Sequence, residues 1–148
     1  MRKVMGVSLL AMMFAMPAAM AQNASAAGAW KTIDDETGKP KSLVRISEEG
    51  GALTGKIEKL FRPADQDQNP KCTSCEGARK DQPIIGMTIL WGLKKDGNEY
   101  TGGQILDPAK GKEYKSKAAL KDNGSKLEVR GYIGAPMFGL SQTWVREQ

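Results

Sequence analysis

The fold is decided by residues 84–133, which read IIGMTILWGLKKDGNEYTGGQILDPAKGKEYKSKAALKDNGSKLEVRGYI. Short runs of β-forming residues alternate here with the turn-type segments Lys95–Asn98, Asp107–Gly111 and Lys121–Ser125. The Asp, Asn and Gly residues in these segments supply the positive φ angles and Asx turns that hairpin connections need. Because such short connections place consecutive strands side by side, the stretch predicts an antiparallel meander.

Similar turn-type segments recur along the rest of the chain at intervals of roughly ten residues, a spacing typical of all-β sandwiches and barrels. Helical periodicity does not persist anywhere. We predict eight strands, with the bounds Ala29–Ile33, Ser42–Ser47, Ala52–Leu60, Ile84–Leu93, Glu99–Leu106, Glu113–Leu120, Lys126–Ile133 and Ser141–Arg146. The fold class is therefore all-β. A single antiparallel up-and-down β-barrel is favoured because closure removes exposed edges, and a β-sandwich is the alternative.

The first and last strands carry residues that indicate closure of the barrel. Gly28-Ala29-Trp30 opens the first strand, and Thr143-Trp144-Val145-Arg146 ends the last. Pairing of these strands would bring Arg146 close to Trp30. This arrangement resembles the Gly-x-Trp motif and terminal arginine of lipocalin-like (calycin) barrels, in which the arginine packs over the tryptophan as a cation–π contact. The resemblance implies a calycin-like barrel in which Arg146 is structural.

A second resemblance covers nearly all of the chain after residue 27. The segments that carry it resemble the bacterial family of secreted proteins known as domain of unknown function 2147, and they are GAWKTIDD (28–35), GKPKS (38–42), PIIG (83–86), ILDP (105–108), GKEY (111–114), LEVRGYIG (127–134) and QTW (142–144). The resemblance implies export and a compact β fold. It implies no established activity, cofactor or catalytic residue.

The N-terminus has the three parts of a cleaved secretory signal. Arg2 and Lys3 precede the apolar stretch Val4–Met16, and the small-residue pattern Ala19-Met20-Ala21 follows. The apolar stretch is about 13 residues long, whereas a helix that spans a bilayer needs about 20. We therefore expect residues 1–21 to be a signal peptide that is cut after Ala21.

The remaining chain of 148 − 21 = 127 residues has the length of one domain. We expect a disordered lead-in at residues 22–27 and a β-barrel domain at residues 28–148. Its basic residues are interspersed with acids, which argues against a nucleic-acid partner. No later apolar run is long enough to span a membrane. No cysteine lies near the expected cleavage site, so nothing suggests acylation of a new N-terminal cysteine. We predict a periplasmic or secreted protein of a Gram-negative bacterium.

The two cysteines of the chain, Cys72 and Cys75, lie within the long polar connection Arg62–Gln82. An even cysteine count in an exported chain favours a structural disulfide. A zinc site and a redox dithiol are the alternatives, although zinc needs about four ligands and a redox pair needs a helix N-terminus. The connection is either a lid at the barrel mouth or a solvated loop stapled against proteolysis.

Two other segments admit a functional and a structural interpretation. Three acidic residues in succession, Asp34, Asp35 and Glu36, suggest acid–base catalysis or calcium binding. They lack the spaced oxygen ligands of a calcium loop, however, and fit a charged turn. Gly134–Gly139 is an apolar connection where a polar hairpin turn is expected. It is either a plug tucked into the barrel or a hydrophobic rim for a ligand or partner.

No catalytic centre is recognisable, and we predict that the protein is not an enzyme. The chain contains no histidine, which excludes Ser-His-Asp and Cys-His triads. It also lacks a phosphate-binding glycine-rich loop and a dinucleotide-binding fingerprint. The sequence therefore predicts neither a cofactor nor a metal site.

The leading functional hypothesis is a binding module, because small eight-stranded barrels either fill their interior or hold one small ligand. The ligand would be apolar or amphipathic. The candidate interior and rim residues are Trp30, Ile57, Met87, Ile89, Trp91, Tyr114, Tyr132, Phe138 and Trp144. The alternative is a structural or interaction protein of the cell envelope, which would have a filled barrel and act through its loops and surface.

Overall fold

A computed structural model describes residues 25–147, and all eight predicted strands are present in this range. Residues 1–21, the predicted signal peptide, lie outside the described residues. The strands are β1 (Gly28–Ile33), β2 (Pro40–Glu49), β3 (Ala52–Leu60), β4 (Thr88–Asp96), β5 (Glu99–Asp107), β6 (Lys112–Lys121), β7 (Lys126–Tyr132) and β8 (Gly139–Arg146).

Each strand pairs antiparallel with its neighbour in sequence, and β8 pairs with β1, so residues 25–147 form one closed barrel. The predicted all-β, up-and-down barrel is confirmed. The largest error in a strand bound is at β4, which begins at Thr88 and not at Ile84. Ile84 instead opens a turn in which its carbonyl accepts the Met87 N–H and Gly86 has a φ of 92°.

Closure brings Arg146 onto Trp30, as expected. The register pairs Trp30 with Arg146, and the guanidinium carbon lies 4.3 Å from the centre of the indole ring. The guanidinium also donates to the carbonyls of Gly124 (2.8 Å), Ala27 (2.9 Å) and Ser25 (2.8 Å). One side chain therefore links the first strand, the last strand and the β6–β7 turn.

Burial lowers the pKa of Arg146, and Tyr100 partly opposes this shift. The guanidinium remains charged at any physiological pH because the ordinary pKa of arginine lies far above that range. Its hydrogen bonds to three carbonyls and its position over the ring replace the water that burial removes.

Residues 25–27, which the sequence assigns to a disordered lead-in, are held against the barrel. Ala26 is fully buried, its carbonyl accepts the Trp30 indole N–H at 2.9 Å, and its own N–H donates to the Tyr100 hydroxyl. The domain thus begins before Gly28. The short side chains of this segment allow it to lie under Trp30.

The core fills one half of the barrel, which we call the closed end. This end carries the short β2–β3, β4–β5 and β6–β7 turns. Its fully buried side chains come from inward positions on most strands and include Trp30, Val44, Ile46, Leu53, Leu93 and Leu127. The other half, where the longer connections lie, is the open end.

The long connection between β3 and β4 spans residues 61–87, and its centre is ordered by a disulfide. Cys72 and Cys75 are joined, which confirms the disulfide interpretation, and both are buried. Two backbone hydrogen bonds reinforce this staple, from Cys72 N–H to the Gln82 carbonyl and from Asp81 N–H to the Cys72 carbonyl. The connection is therefore ordered about its disulfide, although most of its residues are exposed to solvent.

The stapled connection is anchored to the outside of the barrel. Arg79 lies over the Trp91 ring, 4.7 Å from its centre, and forms an ion pair with Glu113. Gly111, in the β5–β6 turn, packs so closely against the connection that a Cβ there would overlap the Ser74 carbonyl. Glycine is required at this position both by that contact and by a φ of 66°.

Replacing Trp30 with alanine should lower the free energy of unfolding by about 3–5 kcal/mol, because it removes the largest buried side chain of the closed end. Urea denaturation measures the loss. Trp91→Ala is the matched control, since Trp91 is half-buried on the outer surface under Arg79. A Trp30→Ala loss no larger than that of Trp91→Ala would contradict the role of Trp30 in closure.

Replacing Gly111 with alanine should undock the stapled connection, because no space exists for a Cβ against Ser74. Limited proteolysis should then cut within residues 61–87 faster than in the unmodified protein. Gly97→Ala is the control. Gly97 also has a positive φ (60°), but a Cβ added there would have nothing within 4 Å, so this variant reports backbone strain alone. Equal protease sensitivity of the two variants would show that the contact does not hold the connection.

Candidate functional site

The open end of the barrel contains a cavity of about 720 Å³. Each of the eight strands described in residues 25–147 contributes to its wall, through residues such as Thr32, Ser42, Ile57, Ile89, Ile105, Tyr114, Val129 and Gln142. Cavities that bind small molecules in proteins usually measure about 300–1,000 Å³. The barrel is thus filled at one end and hollow at the other.

The deep part of the cavity is apolar. Ile57, Ile89, Val129 and Trp144 form its packed base and are almost inaccessible to solvent, whereas Leu60, Ile105 and Tyr114 also line it and are only partly buried. The indole N–H of Trp144 donates to the Gln142 side-chain oxygen at 3.2 Å, so its polar atom already has a partner. This surface therefore offers shape and apolar contact more than hydrogen bonds.

A small polar patch interrupts the apolar wall. The hydroxyls of Thr32 and Ser42 lie 2.5 Å apart and hydrogen-bond to each other across β1 and β2. Both residues are buried. Since each hydroxyl can make a further hydrogen bond, the pair could also receive a polar group of a ligand.

Charged residues of both signs stand around the entrance. Lys41, Arg62 and Lys110 line it together with Asp35 and Asp107. Two of them are engaged by nearby backbone, since Arg62 donates to the Asp67 carbonyl and Asp107 accepts the Ala109 N–H. The entrance combines charges with apolar walls, an arrangement suited to an amphipathic molecule.

The entrance also exposes large apolar side chains, which we call the apolar rim: Phe61, Ile133, Met137, Phe138 and Leu140. The last four are highly exposed, Phe138 at 68% and Leu140 at 82%. All of the rim except Met137 lines the cavity. Exposed apolar clusters of this kind mark interaction sites.

Arg130 holds most of this rim in place from the outer surface of β7. Its guanidinium donates to the carbonyls of Pro136 (2.6 Å) and Gly139 (3.2 Å) and to the Ser141 hydroxyl (2.9 Å). The β7–β8 connection is therefore braced although its apolar side chains face solvent. Of the two interpretations of Gly134–Gly139, the structure fits a rim and not a plug.

Five of the nine candidate residues line the cavity, namely Ile57, Ile89, Tyr114, Phe138 and Trp144. The other four lie elsewhere. Trp30 fills the closed end and Met87 is buried in the β3–β4 connection, where its carbonyl accepts the Ile57 N–H. Trp91 lies on the outside under Arg79, and Tyr132 does not line the cavity.

Sequence reasoning missed several residues that line the cavity, among them Thr32, Ser42, Ile105, Leu140 and Gln142. For Leu140 and Gln142 on β8, the alternation of side chains along the strand gave the necessary information. Residues at every second position of a strand share a face, so Trp144 implies that Gln142 and Leu140 also point inward. No comparable sequence pattern indicated that Thr32 on β1 and Ser42 on β2 line the cavity.

The acidic turn after β1 is structural. Asp34 accepts the N–H groups of Glu36 and Thr37, both at 2.9 Å. These bonds, that of Thr37 first, lower the pKa of Asp34. Within residues 25–147, no three Cys, Asp or Glu side chains come together in a way that could hold a metal ion. The same part of the chain contains no helix long and apolar enough to cross a membrane.

The barrel is similar to that of protein HP1028 from the human pathogen Helicobacter pylori, which belongs to the lipocalin family. The two share 22% sequence identity, the match covers 84% of each chain, and the TM-score is 0.72. The likeness confirms a lipocalin-like fold. No curated protein sequence matches the chain.

The sequence also matches a family model described as "Uncharacterized protein conserved in bacteria (DUF2147)". The match extends over residues 28–146 and thus covers the whole barrel from Gly28 to the closing Arg146. This agrees with the resemblance carried by the sequence segments. The chain belongs to the DUF2147 family of bacterial proteins.

Proposed function

We propose that the protein is a binding module that holds one small apolar or amphipathic molecule in the open end of its barrel. The observation that carries this proposal is the apolar cavity of about 720 Å³, which is continuous with the apolar rim. Burying apolar surface of a ligand against Leu60, Ile105 and Tyr114, which line the cavity and are only partly buried, would supply the binding free energy. The Thr32–Ser42 pair and the charged entrance would orient its polar end.

The lipocalin-like fold fits a binding role better than a catalytic one, and the chain has no histidine. The alternative was an envelope interaction protein with a filled barrel. The cavity argues against the filled barrel of this alternative, whereas the apolar rim supports an interaction surface. We therefore regard surface interaction as a second role to test, not as a replacement for ligand binding.

We also propose that the barrel works in the periplasm or outside the cell. The N-terminal sequence has the form of a secretory signal, and a structural disulfide such as Cys72–Cys75 is stable mainly in oxidising compartments. An apolar ligand in that setting would be a fatty acid, an isoprenoid or a cell-wall fragment.

Ligand binding should be blocked by Gly131→Leu. Gly131 lines the cavity, and a Cβ there makes only ordinary contacts with Ile105 and Tyr114, so a leucine would occupy ligand space without forcing the backbone. Decanoate and farnesol should shift the tryptophan emission of the unmodified protein, because Trp144 lines the cavity, and should raise its Tm. The variant should lose both effects while remaining folded.

Glu128→Leu is the matched control, since it adds the same side chain to the exposed outer face of the same strand. It should bind as the unmodified protein does. If no fatty acid, isoprenoid or cell-wall fragment changes the emission or the Tm of the unmodified protein near millimolar concentration, the proposed binding function is wrong.

If the protein is exported and its signal peptide is cleaved, the mature chain should have a defined N-terminus. Protein recovered from the periplasm of a Gram-negative host should have an intact mass that begins at Gln22 and is about two mass units below that of the reduced chain. Ala19→Arg should prevent the cut because the signal requires a small residue there. An unmodified protein that retains residues 1–21, or that carries two free thiols, would contradict the proposed location.

A further inference from the structure

One side of the cavity entrance, formed by the β1–β2 connection and the start of the β3–β4 connection, carries more positive than negative charge. Lys41 and Arg62 line the cavity there together with Asp35. The two cations lie on adjacent backbone segments, because the Phe61 N–H donates to the Lys41 carbonyl at 3.0 Å. Two positive charges therefore share this side of the entrance with one carboxylate.

Neither cation is neutralised by an ion pair. Within residues 25–147, none of the ion pairs involves Lys41 or Arg62. Arg62 donates from one guanidinium nitrogen to the Asp67 carbonyl at 3.0 Å, which leaves its other N–H groups for a ligand. Two neighbouring like charges repel each other, and an anion bound between them would replace this repulsion with attraction.

The carboxylate of Asp34, in the turn beside Lys41, interacts with that lysine only weakly. The pKa of Asp34 is lowered chiefly by hydrogen bonds from the Thr37 and Glu36 N–H groups, and least by the charge of Lys41. Asp34 also does not line the cavity. The ammonium group of Lys41 is thus left to interact with what enters the barrel.

A β-bulge accounts for the position of Lys41 at the cavity. β1 and β2 pair at Thr32–Ser42 and at Ile33–Pro40, so Lys41 is an extra residue with no partner on β1. Side chains alternate between the two faces of a regular strand, and the buried Ser42 faces the interior, so Lys41 would otherwise point outward. Both residues nevertheless line the cavity. Bulges commonly redirect a side chain in this way beside functional sites.

The Thr32–Ser42 pair provides a hydrogen-bond donor next to Lys41. Two hydroxyls have two hydrogens, and the bond between Thr32 and Ser42 uses one of them. The second hydrogen can be donated to a ligand. Because both residues are buried, this donor would be best satisfied by a charged acceptor, which forms the stronger hydrogen bond.

The opposite side of the entrance does not reverse this preference. Lys110 and Asp107 contribute one charge of each sign, and the Asp107 carboxylate already accepts the Ala109 N–H at 2.9 Å. Three cations and two carboxylates line the cavity in all, so its net charge is positive. The entrance as a whole therefore favours a negatively charged group.

We propose that the molecule held in the open end is an anionic amphiphile, whose carboxylate or phosphate head group binds between Lys41, Arg62 and the Thr32–Ser42 pair. This inference rests on the proposed binding function and adds to it the sign of the ligand's charge and the residues that select it. The head group accepts a hydrogen bond from the hydroxyl pair and from Arg62, and its apolar chain extends into the barrel.

Three ligands with the same ten-carbon chain test the sign of the charge: decanoate, decanol and decyltrimethylammonium. The double variant Lys41→Gln/Arg62→Gln should raise the Kd for decanoate about tenfold, because charge-assisted hydrogen bonds become neutral ones. The Kd for decanol should not change, since its contact with the apolar wall is untouched. Tryptophan emission and titration calorimetry measure both constants.

Lys56→Gln/Lys94→Gln is the matched control. It removes the same total charge from two exposed lysines on β3 and β4 that do not line the cavity. Decanoate should bind this variant as tightly as it binds the unmodified protein. Added salt should weaken the binding of decanoate to the unmodified protein and leave that of decanol unchanged, because ions screen the charges at the open entrance.

The proposal is overturned if Lys41→Gln/Arg62→Gln binds decanoate as the unmodified protein does, or if it loses affinity for decanol to the same extent. Tighter binding of decyltrimethylammonium than of decanoate to the unmodified protein would also overturn it, since the carboxylates would then select the ligand. Each of these results leaves the proposed binding function intact, because a ten-carbon molecule still binds. If none of the three ligands binds, both proposals are wrong.

Discussion

The structure depends on the placement of one guanidinium group. Arg146 lies over the Trp30 ring and donates to two carbonyls of the segment before β1 and to one of the β6–β7 turn, so it closes the barrel where the first and last strands meet. A lysine could supply the charge but not this planar set of directed donors. Because the closed end is sealed in this way, the barrel can leave its other end hollow and still keep a continuous core.

The hollow end follows from the side chains that reach it. Near the closed end, Trp30, Leu93 and Leu127 fill the space between strands, whereas on β7 the inward position of the open end is Gly131, which fills none. Side chains large enough to fill the gap, Phe138 and Leu140, stand at the rim and are exposed. The protein thus keeps apolar surface in contact with water at one place, an arrangement that a bound ligand or partner would relieve.

The strands and the closure were predictable because they rest on local turn chemistry and on two conspicuous residues, Trp30 and Arg146. The site was only partly predictable, because selecting candidates by aromatic residue type does not take into account which face of the strand each side chain occupies. Strict alternation from Ile89 would send Trp91 inward. The register of β4 against β3 shifts between Gly55 and Lys56, so Ile89 and Leu90 are both buried and Trp91 packs outside under Arg79. Bulges depend on tertiary contacts, and short-range pattern does not reveal them.

We propose that the open end of this barrel, and not its closed end or outer surface, holds an apolar molecule. Intermolecular nuclear Overhauser effects between decanoate and the methyl groups of the protein test it most directly. We expect contacts from the ligand chain to Leu60, Ile84 and Ile105, which line the cavity and are only partly buried, and none to Ile46 or Leu93 in the closed end. Contacts confined to Met137 and other exposed methyl groups, or no contacts at all, would contradict it.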